Sequence, residues 1–391
     1  MKLWSAVLCL LLAPAAYASE LVFNVTLDYD LERSHVAAQS AVGDLAAHLS
    51  SRLGQPVRLV MTQNAERVGE RIRTGAYDVI LAPAHLIGLA MRHGYTPVAR
   101  SERPTRVVLV ANRAKGMRSL EQTRGKSLVM PHRDSLVSEV MRGEFIAKGL
   151  SLNGFYRHVS HVTSYGAVLY ALQVGQADVA AVKEEVMQEW TPRYPDLGIV
   201  AKLPEVPVAG VAVKSGLDEG VKERLRQAFT EIGGSLEARL SRVKMSNLDP
   251  ADSADFTYIS QRGHFTPEVL PGATIVTAEQ VKQLMAQGVP LYDVRPQSHY
   301  RQGHIPKAIN LTYEMNSPKE VDYDDALDRW DVSRLPKDKN APMIFQCNGA
   351  ECWYSYKATR MALKLGYKKV YWFRTGLPAW KAAGFPIEQK T

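Results

Sequence analysis

Strand-like and helix-like segments alternate between residues 21 and 241, and this alternation constrains the fold more than any other feature of the sequence. Residues 21–27 form an apolar strand, and the helix predicted over 34–53 ends at Gly54. Strands that alternate with helices predict a mostly parallel sheet covered by helices on both faces. The further predicted elements of this region are strands at 56–61, 77–82, 126–130 and 177–182 and helices at 65–74, 135–148, 164–174 and 218–240.

Two β-rich stretches, 106–112 and 206–214, lie on either side of the block 114–205. A chain that leaves one α/β lobe, builds a second and returns needs two extended crossings of this kind. The pattern therefore predicts two lobes with a cleft between them. One continuous sheet is the alternative that spacing alone leaves open.

The N-terminus has the features of a secretory signal. Lys2 precedes a short apolar stretch, and Ala16-Tyr17-Ala18 is an A-x-A cleavage site. A membrane span needs about 20 apolar residues, so we expect cleavage after Ala18, with an uncleaved anchor as the alternative. Export to a bacterial periplasm follows, an oxidising compartment in which the mature chain keeps Cys347 and Cys352.

The formal net charge of +8 suits an anionic ligand, an acidic partner or a membrane surface. The basic residues are dispersed and form no block of five or six, so the sequence indicates no nucleic-acid partner. Two cysteines without clustered histidines make no metal-ligand pattern, so we expect neither a metal nor another cofactor.

Periodicity fails between about 243 and 272, where Pro and Gly mark a linker. A new α/β region then opens with a capping box formed by Thr277 and Gln280. The predicted parts are a signal peptide (1–18), a two-lobe domain (19–241, second lobe about 113–206), a linker (242–272) and a C-terminal α/β domain (273–391).

A cysteine follows the strand predicted at 343–346 and precedes a short polar loop and a helix. This layout places the sulfur of Cys347 among backbone N–H groups with a helix N-terminus behind it, where the thiolate is favoured and an oxyanion can be held. A small buried core thiol is the alternative for Cys347. The loop residues after the cysteine are Asn348, Gly349, Ala350, Glu351, Cys352 and Trp353.

Three motifs carry a resemblance in this region: 292–296 (YDVRP) with 303–306 (GHIP), the cysteine loop, and 366–386, which contains Trp380. In order and spacing they resemble the rhodanese (thiosulfate sulfurtransferase) family over about the last 120 residues. The resemblance implies that Cys347 attacks the outer sulfur of a donor such as thiosulfate, becomes a persulfide and passes the sulfur to a thiol acceptor.

The loop departs from the common pattern of that family. Common loops carry an Arg five residues after the cysteine, whereas Cys352 stands there, which counts against both thiosulfate as the donor and a phosphatase. The charge of Glu351 would oppose an anion and favour a neutral or cationic sulfur carrier. We interpret Asp293 and Arg295 as a structural pair and His304 as a turn histidine.

The segments 77–84, 129–131 and 175–182 resemble the phosphonate/phosphate-type substrate-binding proteins of ABC importers over about residues 21–240. Ser135, at the start of a predicted helix, offers a hydroxyl and free N–H groups to an oxyanion, and a plain helix N-cap is the alternative. The candidate ligand-binding residues are Tyr29, Arg133, Ser135, Ser138, Ser164 and Tyr165.

The predicted fold class is α/β: a two-lobe periplasmic-binding-protein fold followed by a rhodanese-like α/β domain. The predicted function is a periplasmic sulfurtransferase coupled to a module that binds a small oxyanion, with an ABC permease as a further candidate partner. Two alternatives stay open. One is a solute receptor with an inactive or sulfur-sensing rhodanese domain, and the other is a thiol–disulfide redox protein using Cys347 and Cys352.

Overall fold

The computed structural model describes residues 20–29, 35–62, 64–242, 248–262 and 265–389. The predicted signal peptide, 1–18, lies outside these ranges. Within them the chain forms a six-stranded sheet, two five-stranded sheets and a two-stranded ribbon. Every helix in the described ranges is too short or too polar to serve as a membrane span. Short 3-10 turns occur at Arg113–Lys115, Glu121–Thr123, Ala254–Phe256, Asp325–Leu327 and Val332–Arg334.

The first lobe begins with the predicted alternation of strands and helices. Strand β1 pairs in parallel with both β2 and β3, so its side chains are buried on both faces of the sheet. The elements up to the first crossing are β1 (Leu21–Val25), α1 (His35–Leu53), β2 (Val57–Met61), α2 (Ala65–Arg73), β3 (Val79–Pro83), α3 (Ala84–Met91) and β4 (Tyr95–Ser101).

The chain crosses to a second sheet after β4 and builds the second lobe. Its strands lie in the order β7-β6-β8-β5-β9, and β5 runs antiparallel to both of its neighbours. The elements are β5 (Pro104–Asn112), β6 (Ser127–Met130), α4 (Leu136–Ala147), α5 (Leu152–Phe155), β7 (His158–His161), α6 (Tyr165–Gln173), β8 (Val179–Lys183), α7 (Glu184–Trp190) and β9 (Leu197–Pro207).

After β9 the chain returns to the first sheet, whose order is β11-β4-β10-β3-β1-β2. The prediction of a mostly parallel sheet is wrong, because both lobes have mixed sheets: three pairings of the first sheet are antiparallel, and β5 of the second pairs antiparallel with both neighbours. The helix predicted over 218–240 is two helices, separated near Gly234, whose φ is +62°. The returning elements are β10 (Ala209–Lys214), α8 (Glu219–Thr230), α9 (Gly234–Arg242), β11 (Leu248–Pro250) and α10 (Thr257–Ser260).

The C-terminal domain has an all-parallel sheet with the order β12-β18-β17-β13-β14. Its first helix begins at the predicted capping box of Thr277 and Gln280. The elements are β12 (Ala273–Ile275), α11 (Ala278–Ala286), β13 (Leu291–Asp293), α12 (Gln297–Gln302), β14 (Ile309–Asn310), β15 (Tyr313–Glu314), β16 (Arg329–Trp330), β17 (Met343–Gln346), α13 (Trp353–Lys364), β18 (Val370–Phe373) and α14 (Gly376–Ala382).

The connecting segment, defined here as 251–262 with 265–272, joins the two lobes to the C-terminal domain. The Glu144 carboxylate on α4 accepts hydrogen bonds from the Tyr258 hydroxyl and from Nε of Arg262, each at 2.6 Å. One apolar cluster also spans the junction, and burial of its contact surface stabilises the docked arrangement. Its members are Ile146, Leu270, Tyr323, Trp353, Tyr356 and Trp372.

Candidate functional site

Cys347 stands directly after β17, the middle strand of the C-terminal sheet, and α13 begins six residues later. The residues between them form the cysteine loop (347–353). Gly349 has a φ of +102°, which side-chain-bearing residues rarely adopt, and this lets the loop turn sharply. The amide of Cys352 closes the loop by donating to the carbonyl oxygen of Gly349 at 3.0 Å. The predicted order of strand, cysteine loop and helix is confirmed.

Cys347 is a buried residue in this disulfide-bonded form. A disulfide joins it to Cys352, with the two Cα atoms 6.2 Å apart. Its Sγ lies 3.1 Å from the hydroxyl oxygen of Ser355, in the first turn of α13. The indole nitrogen of Trp372 donates to the same oxygen at 3.0 Å, which leaves the serine hydrogen to point at the sulfur. A hydroxyl donor and a helix N-terminus beside a sulfur are surroundings that favour the thiolate form of a reduced cysteine.

The start of α14 packs directly on the cysteine loop. The amide of Leu377 donates to the carbonyl oxygen of Cys347 at 3.0 Å. A Cβ atom at Gly376 would overlap that carbonyl and lie 2.8 Å from the amide nitrogen of Gly349. Glycine at 376 is therefore what permits α14 to approach the loop so closely.

Asp293 and Arg295 form the pair that the sequence predicts, and the arginine also reaches the cysteine loop. Both are buried, with Nη2 of Arg295 2.6 Å from Oδ2 of Asp293, and Nη1 donates to Oδ1 of Asn348 at 2.9 Å. His304 is buried with its Nδ1 2.9 Å from the Tyr300 carbonyl oxygen, in keeping with a turn histidine.

The other loop residues contact several parts of the molecule. Trp353 is buried and packs edge-on against Tyr356. The carbonyl oxygen of Ala350 accepts from Thr266 of the connecting segment. Glu351 pairs with Arg92, which immediately follows α3 in the first lobe. The loop is thus held partly by residues from outside the C-terminal domain.

Ser135 and Ser138, predicted to bind an anion, are buried at the start of α4. Ser135 is the N-cap, and its Oγ accepts from the amide of Ser138 at 3.2 Å. The Ser138 hydroxyl donates to the carbonyl oxygen of Pro131 at 3.1 Å. Both hydroxyls therefore have partners within the second lobe.

The remaining predicted ligand-binding residues lie in both lobes. Ser164 is the N-cap of α6 and accepts from the amide of Ala167. Tyr29 stacks on His132 with ring centroids 3.9 Å apart. Tyr165 and Arg133 take part in the two features described next.

The carboxylate of Asp28, from the first lobe, occupies the helix end at which the sequence predicts an anion. Its Oδ1 accepts from the amide of Leu136 in α4 at 3.1 Å, and its Oδ2 accepts from the Tyr165 hydroxyl at 2.8 Å. Oδ2 also lies 2.6 Å from Nζ of Lys183. Burial alone would raise the pKa of Asp28, but Lys183 and Tyr165 outweigh burial and lower it to about 2. An internal carboxylate thus ties the two lobes together.

A cavity of about 410 Å³ lies between the lobes and the connecting segment. Both ring nitrogens of His85 are buried there without a hydrogen-bond partner among the described residues, and burial lowers its pKa. Guanidinium groups predominate among the charged side chains of the wall, which suits an anionic ligand. These charged side chains are Arg73, Arg92, Arg133, Arg142, Arg262, Glu70, Asp134 and Glu139.

Sequence reasoning missed several of these groups. Asp28 and Lys183 are far apart in the chain, and no sequence motif identifies Ser355 as a neighbour of the Cys347 sulfur. His85 directly follows the motif 77–84, so its position did offer a signal. Across the described ranges, His, Cys, Asp and Glu side chains form no group of three or more that could hold a metal ion.

Comparison with known families agrees with this geometry. A family model described as "ABC transporter, phosphonate, periplasmic substrate-binding protein" matches residues 31–256, more than half of the chain. The chain belongs to this family. A second model, described as "Rhodanese-like domain", matches residues 277–383. Both predicted resemblances are confirmed, and so is the predicted fold class.

Individual relatives match parts of the chain. Thiosulfate sulfurtransferase 18 of Arabidopsis thaliana is 34% identical over 115 residues, covering 29% of this chain and 81% of that protein. The HTH-type transcriptional regulator Rv0324 of Mycobacterium tuberculosis is 30% identical over 181 residues, covering 46% of this chain and 70% of that protein. The structure of XAC2383 from Xanthomonas citri bound to ATP covers 62% of this chain and 96% of its own, with a TM-score of 0.51 and 19% identity. That similarity supports the fold of the binding domain alone.

Asp28→Asn tests the contact between the lobes. The change removes the carboxylate charge that lies 2.6 Å from Nζ of Lys183, whose side chain is 2% exposed. We expect the binding domain to lose roughly 3 kcal/mol of stability at pH 7, measured by calorimetry of the full chain. Because the pKa of Asp28 is lowered, its contribution is present above about pH 4 and is lost as the pH falls towards 2.

Two variants serve as controls for this prediction. Asp28→Asn combined with Lys183→Met should recover most of the loss, because both charges of the buried pair are then removed together. Asp44→Asn breaks an exposed pair with Arg239 and should change stability by less than about 1 kcal/mol. A loss in Asp28→Asn no larger than that of Asp44→Asn would contradict the assignment.

Proposed function

We propose that the chain is a periplasmic sulfurtransferase that forms a persulfide on Cys347 and is coupled to a module for a small oxyanion. The observation that carries the proposal is the sulfur of Cys347 at the end of the central strand, against the first turn of α13 and the Ser355 hydroxyl. The rhodanese-like family match and the similarity to a thiosulfate sulfurtransferase support it.

The reaction begins with reduction of the disulfide to two thiols by a thiol reductant, which supplies two electrons and is itself oxidised. The Cys347 thiolate attacks the outer sulfur of thiosulfate, whose sulfur–sulfur bond breaks so that sulfite leaves with the bonding pair. The product is a Cys347 persulfide. A thiol acceptor then takes the outer sulfur as its own persulfide, and the Cys347 thiolate is restored.

The location and partners are part of the same proposal. The family of the binding domain is described as periplasmic, which supports export and cleavage after Ala18. We place the oxyanion in the arginine-lined cavity, at Arg133, because Asp28 already occupies the start of α4. An ABC permease remains a candidate partner through the same family.

Cys347→Ser tests the proposed nucleophile. The reduced wild-type protein should transfer sulfur from thiosulfate to cyanide, and the variant should fall to background because serine forms no persulfide. Thiocyanate formation measures the activity, and an unchanged melting curve shows that the fold is kept. Cys352→Ser is the matched control and should retain more activity. Equal rates in wild type and Cys347→Ser would refute the mechanism.

The disulfide provides a second prediction and favours a redox role for the pair as the second candidate function. Oxidised mature protein, which lacks Cys9, should show no free thiol after unfolding and should transfer no sulfur, because the nucleophile is blocked. A dithiol reductant should release two thiols in the mature protein and restore activity together. Two free thiols after air oxidation, with full activity and no reductant, would rule the switch out.

A third prediction concerns the oxyanion. At least one of phosphate, methylphosphonate, sulfate and thiosulfate should raise the melting temperature of the full chain, because a ligand bound only to the folded state stabilises it. Arg133→Gln should remove the shift, whereas Arg118→Gln, at an exposed arginine outside the cavity wall, should keep it.

The serine variants test the placement of the ligand. Ser135→Ala with Ser138→Ala should leave the shift in place, since both hydroxyls are occupied within the second lobe. A shift lost in this double variant and kept in Arg133→Gln would instead place the ligand at the start of α4.

A further inference from the structure

The cysteine loop carries one charged side chain of its own, the carboxylate of Glu351, and no cation. Five residues after Cys347 stands Cys352, where common loops of this family have an arginine. A carboxylate in the same short loop as the nucleophile disfavours both a thiolate and an approaching anion. Left alone, Glu351 would make this loop a poor site for an anionic sulfur donor.

The binding domain supplies the missing positive charge. Nε of Arg92, just beyond the end of α3, is paired with Oε1 of Glu351. The side chains are 19% and 35% exposed, so the pair is partly removed from solvent and from screening by salt. The negative charge of the loop is therefore balanced by a residue of the first lobe.

Arg92 is held in place by three further contacts. Its Nη1 donates to the carbonyl oxygen of Gly88 at 3.0 Å and to that of Ser260 at 2.6 Å. The ring of Phe265 lies 4.8 Å from the guanidinium carbon. A guanidinium held by several contacts is already oriented, so little side-chain entropy is lost when it pairs with Glu351.

The neighbouring loop residue is fixed from the connecting segment. The amide and the hydroxyl of Thr266 both donate to the carbonyl oxygen of Ala350 at 2.8 Å. Nη2 of Arg374 donates to the carbonyl oxygen of Thr266, also at 2.8 Å. The cysteine loop thus contacts both the C-terminal domain and the connecting segment that precedes that domain.

We propose that Arg92 is a positioning residue of the sulfurtransferase site that neutralises Glu351, so that the cysteine loop accepts an anionic sulfane-sulfur donor. The inference rests on the proposed function and specifies its donor class as anions such as thiosulfate. It revises the expectation that Glu351 selects a neutral or cationic carrier. The isolated rhodanese-like domain lacks this cation.

Two alkylating reagents of different charge test the proposal in the reduced full chain. Iodoacetate is an anion and iodoacetamide is neutral, and mass spectrometry reads the rate of each at Cys347. The ratio of the two rates reports the charge that an incoming anion meets, whereas a general loosening of the loop would change both rates together. Arg92→Gln should lower the iodoacetate/iodoacetamide ratio about fivefold.

The partner variant and the conservative variant make the test specific. Arg92→Gln combined with Glu351→Gln should return the ratio to that of the wild type. Arg92→Lys keeps the positive charge, so its iodoacetate/iodoacetamide ratio should stay near that of the wild type. Arg58→Gln is the matched control, since this first-lobe arginine pairs with Glu20 away from the loop. In turnover, Arg92→Gln should raise the KM for thiosulfate several-fold with a smaller effect on kcat.

A ratio that changes less than twofold in Arg92→Gln would overturn the proposal, as would a change that Glu351→Gln does not reverse. If Arg92→Gln fails to fold, Glu351→Gln alone decides, because the unpaired arginine should then raise the ratio, and an unchanged ratio would refute the idea. Alkylation needs no sulfur transfer. Charge-dependent alkylation in a protein without sulfurtransferase activity would therefore refute the proposed function and leave only the charge balance between Arg92 and Glu351 standing.

Discussion

The carboxylate of Asp28 links the two lobes, and the cavity and the connecting segment both lie where those lobes meet. It satisfies the amide of Leu136, the hydroxyl of Tyr165 and the ammonium of Lys183, all from the second lobe. A buried carboxylate with fewer partners would be strongly unfavourable. The three donors therefore stabilise the contact between the lobes. As a result α3 of the first lobe and α4 of the second lie side by side.

Those two helices form the surface that carries the connecting segment. A Cβ atom at Gly88 of α3 would lie 3.0 Å from Cα of Ser260, so glycine permits α10 to pack closely on it. On α4, Glu144 binds Tyr258 and Arg262. Hinged lobes of this kind move as rigid bodies about their crossings. The connecting segment is attached to both lobes, so a change in their angle would act on it directly.

The same arrangement brings the cavity and the cysteine loop close together. His85, near the start of α3, lines the cavity, and Arg92, just past its end, contacts Glu351. Eight helical residues span about 12 Å. Helix α3 therefore carries His85 at one end and Arg92 at the other, both of which line the cavity, and Arg92 also balances the charge of the cysteine loop. The two sites thus share a rigid element.

Sequence patterns predict those elements whose stabilising contacts lie within a few residues along the chain. The apolar strand and polar loop around Cys347, and the capping box of Thr277 and Gln280, depend on neighbours within a few residues, and both were predictable. Helix α3 was missed because its residues are buried nearly all round and show no polar stripe. The partners of Asp28 and Glu351 lie in other domains or lobes, and a single sequence contains no periodicity that joins positions so far apart.

The charges of the cavity show why composition alone is a weak guide to its ligand. Five arginines and three carboxylates line the wall, while two further carboxylates, Glu144 and Glu351, pair with Arg262 and Arg92. Among these named groups the charges balance, so the net charge of +8 does not concentrate here as a long-range attraction. An anion bound in this cavity would be selected by the direction in which individual guanidinium groups, such as that of Arg133, point their donors. The carboxylates of the wall would repel ligands with more negative charge than the guanidinium groups can neutralise.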